Sequence, residues 1–245
     1  MRAERFKRLF GDRGEAGYAR GPMIAADHLA VLLNKPLGEI CRSGELLAEG
    51  LLKAQRIYHS DFIIIFADVS VEAEALGVKL EYYPQRNPQI VEHVDLLQQK
   101  TENPVSYSRI PELFRAARLC RRELGQRFPI FFSMKDPFSL AAMAQGSEDF
   151  LVLLPLAADR VHEILEICCQ RQMELMEAIL LEGYVPFIGA PIASGGLIGR
   201  QHFRRFAMPY LKRLLDLATR QESFRCLHLC GEISMLTEEL ADLEL

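Results

Sequence analysis

Residues 61–67 read DFIIIFA, a run of β-branched and aromatic side chains with no polar alternation. An unbroken apolar run of this length marks a strand covered on both faces, as the strands of a parallel sheet are. Three further stretches repeat the signal: PIFFSM at 129–134, YVPFI at 184–188 and FRCLHL at 224–229. Helical patterns lie between them. Ser43 caps the stretch GELLAEGLLKAQRIYH, and Pro111 opens the basic segment PELFRAARLCRRELG. A short helix, SLAAMAQG, follows Pro137 and Phe138. Residues 159–182 carry an apolar stripe of Val161, Ile164, Leu165, Cys168, Met176, Ile179 and Leu180, and residues 201–220 form the next helix, bent at Pro209. Strands alternating with long helices predict an α/β fold with a parallel sheet and right-handed crossovers.

The flanking segments carry less signal. Residues 1–11 read as a short charged helix ended by Gly11, residues up to Pro22 as loop, and residues 82–94, broken by Pro84 and Pro88, as irregular or edge structure. With no repeat, low-complexity tract or Pro- or Ser-rich linker, residues 1–245 are expected to form a single domain, with 1–60 as a helical lead-in.

Composition narrows the function classes. A chain with 49% hydrophobic and 25% charged residues is an ordinary globular protein. Its formal net charge of −4 and dispersed Lys and Arg offer no basic stripe for nucleic acid or an anionic membrane. No apolar run is long enough to cross a bilayer. Six Cys without a signal peptide or regular spacing predict free thiols and a cytoplasmic location.

The chemistry is expected where strands end. In parallel α/β folds the loops at the carboxyl ends of the strands gather on one face, so one pocket could hold Asp68, Lys135, Ser194, His228 and Cys230. The sharpest stretch is SFRCLHLCGEISML at 223–236. Alternation puts Cys226, His228 and Cys230 on one side of the strand, and only His228 and Cys230 are close enough to share a zinc ion, Cys226 being about 13 Å from Cys230. A buried strand with a hydrogen-bonded His and a Cys acting as a small hydrophobe is the alternative. The loop ASGGLIG is read either as a flexible lid or as a phosphate cradle built on Ser194 and Gly195, although it lacks GxGxxG spacing and a P-loop Lys. Asp68 is read either as a ligand-binding acid or as the N-cap of VEAEALG.

Four stretches in order, FIIIFADVSVEAEALG, PFSLAAMAQGSEDFLVLL, GAPIASGGLIGRQHFRRFAMPYLKRL and LHLCGEISML, resemble the uroporphyrinogen decarboxylase superfamily from Phe6 onward. That superfamily joins porphyrin decarboxylases and zinc-dependent corrinoid methyltransferases of the methylcobamide:coenzyme M type on a (β/α)8 TIM barrel. GPMIAADHLAVLL lacks the Arg-rich motif with which the decarboxylases grip carboxylates, whereas the His-x-Cys pair is similar to the methyltransferase branch.

The resemblance therefore implies a methyltransferase. His228 and Cys230 would hold Zn2+, Asp68, which matches the aspartate with which the decarboxylases hold pyrrole nitrogens and near which the methyltransferases also have an acid, would be the catalytic residue, and a partner corrinoid protein would deliver the methyl group to a thiol or other small acceptor. Uroporphyrinogen decarboxylation and a non-catalytic interaction module are the alternatives. Two departures stand out: Ala190–Pro191 replaces the family's Asp-Pro, and the third zinc ligand, a downstream Cys, has no counterpart before Leu245. About four of the eight βα units are expected where such barrels need roughly 250 residues or more, so the sequence reads as a barrel truncated at its C-terminus or completed within a homo-oligomer.

Overall fold

The run at 61–67 does become a strand, and the segment before it folds as helices. In the computed structural model, which describes residue 21, residues 24–98 and residues 104–243, α1 (Ala26–Leu33), α2 (Leu37–Ile40) and α3 (Gly44–Tyr58) come first. The Ser43 hydroxyl caps α3 by accepting from the Leu46 N–H at 3.2 Å. The charged helix expected at 1–11, and nearly all of the loop that follows it, lie outside the described residues.

After β1 (Ile63–Ile65) comes α4 (Val71–Ala75), then the antiparallel hairpin of β2 (Lys79–Glu81) and β3 (Gln89–Glu92). The chain continues through α5 (Ile110–Leu124), β4 (Ile130–Lys135), α6 (Pro137–Gln145), α7 (Ser147–Leu156) and α8 (Ala158–Leu181). It then runs through β5 (Val185–Ala190), α9 (Gly195–His202), a π-helical turn at Phe203–Ala207, α10 (Met208–Arg220), β6 (Leu227–Leu229) and α11 (Thr237–Ala241).

Four strands form one parallel sheet in the order β1-β4-β5-β6. The α/β pattern is as the sequence predicts, but the sheet is open among the described residues, with β1 and β6 at its edges. No closed eight-stranded ring forms from them. One local reading is sharpened and one corrected. The segment read as irregular or edge structure holds β3, an edge strand of the hairpin, with Pro84 and Pro88 between the two strands, where no ladder N–H is needed. The glycine-rich stretch expected to be a lid instead opens α9, and the φ of +70° at Gly199 breaks that helix into two parts. Pro209 lies just after the π-helical turn at Phe203–Ala207, with helical backbone on both sides, so the helix departs from α geometry where the proline was expected to bend it.

Alternation gives the sheet two apolar faces. Ile63, Ile65, Ile130, Phe132, Met134 and Ile188 join the main core under the helices. Ile64, Phe131 and Val185 face the other way and pack with Phe62, Phe66, Phe187, Phe224 and Cys226 in a second, shallower cluster. Phe132 is fully buried, with the Phe114 ring 4.8 Å and the Tyr184 ring 6.4 Å from its centroid. Replacing it with Ala removes a side chain from the closed side of the sheet, and urea unfolding should record a loss of about 3–5 kcal/mol. Phe187→Ala, on the half-buried second face, should cost clearly less.

Candidate functional site

Because the four strands are parallel, their carboxyl ends emerge on one side, and the register says which residues stand abreast there. Lys135 pairs with Gly189, and Gly189 pairs with His228, so the three form one row across β4, β5 and β6. Counting in twos from Phe131 and Val185 puts this row on the second face of the sheet. His228 is exposed, and its ring lies nearly parallel to that of Phe187, centroids 6.2 Å apart.

Cys230 leaves the strand on the same side. Its Sγ lies 3.2 Å from His228 Nε2, and Gly231 turns the chain away with a φ of +77°, a conformation that glycine adopts without strain. In a tetrahedral zinc site, bonds of about 2.0–2.1 Å to N and 2.3 Å to S put those two atoms about 3.5 Å apart, so the pair is close to the bite zinc needs. Among the described residues no third His, Cys, Asp or Glu joins them. The donor chemistry therefore fits zinc at two corners. Glu232 turns its Oε1 to the Ser234 N–H at 2.7 Å, and burial pushes the Cys226 thiol up to about 11, leaving it a neutral member of the apolar cluster.

Asp68 was expected to face the pocket, and the structure seals it instead. Its side chain is 1% exposed and ion-paired with Arg109, whose Nε also reaches Glu74 Oε2 at 2.7 Å and whose Nη1 donates to the Cys41 carbonyl at 3.0 Å. Asp68 Oδ1 accepts from the Ser70 N–H at 2.9 Å, so the acid does order the start of α4, although Ser70 is the residue at the N-cap. Burial opposes ionisation of Asp68, but the Arg109 hydrogen bonds and charge, with Ser70, outweigh it and hold the carboxyl below its ordinary range. Nothing near residue 68 announces the arginine 41 positions away.

Ser194 and Gly195 also sit differently from a phosphate cradle. Ser194 is at the N-cap of α9 without donating or accepting a side-chain cap bond, and the Gly196 N–H donates to the Glu232 carbonyl at 3.2 Å. A Cβ on Gly195 would come within 2.7 Å of Met235, so the space beside these glycines is filled by the chain's own residues 232–236. Their role is close packing that holds the His228–Cys230 segment against α9. Ser194 Oγ lies beside Gly231, where an added Cβ would be 3.4 Å from it.

Lys135, expected in the pocket, and Asp136, which follows it, are both built into the end of β4. Lys135 is buried at the end of β4, its N–H donating to Glu72 Oε1 at 2.9 Å. Asp136 is completely buried and caps α6 through the Phe138 and Ser139 N–H groups at 3.0 and 3.2 Å. Its own N–H donates to the Gly189 carbonyl at 3.0 Å, tying the ends of β4 and β5 together. Burial lifts the Asp136 carboxyl to about 6, against the cap hydrogen bonds and the Lys135 charge that pull it down.

Residues 23–245 match the family profile described as Uroporphyrinogen decarboxylase (URO-D). The uroporphyrinogen decarboxylase of Trichlorobacter lovleyi is 25% identical over 206 residues, covering 80% of this chain and 59% of the relative. The methylcobamide:CoM methyltransferase MtbA of Methanosarcina mazei is 27% identical over 170 residues, covering 67% of this chain and 50% of the relative. The chain thus spans between 50% and 59% of the length of these curated relatives. A solved structure described as a methyltransferase from Methanosarcina mazei shares the fold, with a TM-score of 0.83 over 94% of this chain and 70% of that one at 22% identity.

Two substitutions test this electrostatic picture. Arg109→Met leaves Asp68 and Glu74 without their buried cation, and urea unfolding should lose about 3–5 kcal/mol. The neutral Arg109→Met/Asp68→Asn/Glu74→Gln chain should recover much of that loss. Asp136 has the opposite sign: its folded pKa lies above the ordinary 3.8, so its contribution is full below that value and is lost as pH rises towards 6. Asp136→Asn should therefore match the wild type near pH 4 and gain on it by a few kcal/mol, on the order of 1.4 kcal/mol per pKa unit, by pH 7.

Proposed function

The chain belongs to the uroporphyrinogen decarboxylase family, and from that premise we propose that it is a methyl-transfer member of it, moving a methyl group between a corrinoid protein and a thiol or similar small acceptor. The observation that carries this reading is the approach of His228 Nε2 to Cys230 Sγ at 3.2 Å on the carboxyl-end face of the sheet. In this reading the four parallel strands correspond to part of a (β/α)8 barrel and residues 1–245 to one barrel-type domain.

His228 and Cys230 would hold the zinc ion at two of its corners. Bound there, zinc would supply a Lewis-acid position at which an acceptor thiol is held as thiolate. The chain's own residues orient and shield that position. The Phe187 ring lies nearly parallel to the His228 ring, and Gly195 and Gly196 pack closely on residues 232–236, next to Cys230.

A second reading, decarboxylation of uroporphyrinogen, is favoured by relatives of that name at similar identity, including the Nitrosococcus oceani enzyme at 27% over 199 residues. The pairing of the buried Asp68 with Arg109 weighs against it.

Elemental analysis separates the two. The purified chain, reconstituted with zinc and dialysed, should retain close to one equivalent, and His228→Ala/Cys230→Ala should lose it together with methyl transfer from methylcobalamin to a thiol. A folded wild-type chain that retains no zinc, or uroporphyrinogen turnover that survives the double substitution, would overturn the methyltransferase reading.

A further inference from the structure

The hairpin of β2 and β3 stands apart from the main sheet, and among the described residues both of its outer edges are unpaired. An unpaired strand edge is a template for a further strand, so folded proteins guard it. The two edges are guarded differently. On β3, Lys79 meets Glu92 and Leu80 meets Ile90, which leaves Val91 as an extra residue in a bulge. The chain beyond it is tied down, the Val94 N–H donating to the Ala144 carbonyl at 2.9 Å. β2 has no such defect. It is regular over Lys79, Leu80 and Glu81, and among the described residues no backbone hydrogen bond leads from these three to anything outside the hairpin.

The side chains of β2 decide what this edge admits. Leu80 packs against the main core, and alternation turns Lys79 and Glu81 to the solvent side, where both are exposed. Lys79 is only loosely paired within its own chain, Glu92 Oε2 being 3.8 Å away with the two side chains 70% and 71% exposed. Charges on an edge turn away an indiscriminate strand. The order Lys-Leu-Glu is a special case, because it is its own complement when reversed. Two copies of β2 laid antiparallel about a two-fold axis beside Leu80 put each Lys79 opposite the other copy's Glu81, with leucine beside leucine on the core side. β3 offers nothing comparable, since its reversal sets Gln89 against Glu92 with the bulge between them.

We propose that the outer edge of β2 is a self-association surface whose partner is a second copy of this chain, the two hairpins joining into one four-stranded antiparallel sheet. The contact is isologous, as a two-fold pairing of identical strands requires. With three residues in each strand it is small, so the dimer is weak and reversible.

The test is sedimentation equilibrium of the full chain over a range of concentrations, at low ionic strength because exposed charge pairs are screened by salt. The wild type should show a reversible monomer–dimer equilibrium. Glu81→Lys puts Lys opposite Lys. Lys79→Glu puts Glu opposite Glu, and is made together with Glu92→Lys so that the pair inside the hairpin is kept. Each variant should weaken dimerisation by about tenfold. An equimolar mixture of the two should recover it, since every seam position then again brings Lys against Glu. Glu81→Lys also separates strand pairing from general repulsion: it makes the net charge of −4 less negative, so association governed by overall charge would tighten. A wild type that stays monomeric throughout, variants that dimerise as well as the wild type, or a mixture no better than its components would overturn the proposal, with circular dichroism confirming that each chain is folded.

Discussion

Everything at this site depends on the parallel ladder β1-β4-β5-β6 and its register. Parallel pairing puts all four carboxyl ends on one side, and the pairing of Lys135 with Gly189 and of Gly189 with His228 decides which side chains meet there. A slip of one residue in β6 would turn His228 towards the helices and bring a leucine to the row. The ladder is short at both edges, with three residues each in β1 and β6, so buried side chains must help to fix it.

Those side chains are largely ionic. Arg109 ties the segment after β1 to α5 through Asp68 and Glu74, and Asp136 ties the end of β4 to both α6 and β5. Each such group is expensive to bury and is kept with its hydrogen bonds filled, which makes it a positional constraint more than a source of net stability. The strand ends thus stay rigid while the residues that reach solvent, His228 and Cys230, are carried on the edge strand and the turn that follows it.

The sequence-readable part of the fold is the part encoded locally. DFIIIFA, PIFFSM and YVPFI are apolar on both faces because helices cover one side of the sheet and aromatic rings the other, so their runs are unbroken. Ser43 and its helix were equally plain. The β2–β3 hairpin was hidden by the prolines in its connection, and α9 by glycines that are small because Met235 and Glu232 press against them. The proximity of His228 and Cys230 followed from spacing alone. The burial of Asp68 could not, since its partner is 41 residues away and an aspartate after a strand looks the same whether it meets a ligand or an arginine. Lys135 was expected in the pocket from its place after a strand, and the register adds that it stands in one row with Gly189 and His228.

X-ray absorption at the zinc edge of the reconstituted chain addresses the His228–Cys230 pair most directly. A first shell containing one sulfur at about 2.3 Å and at least one imidazole nitrogen at about 2.0–2.1 Å is expected, with the sulfur contribution lost in Cys230→Ser. A shell of nitrogen and oxygen alone in the wild-type chain would contradict the assignment of this pair as the metal-binding centre.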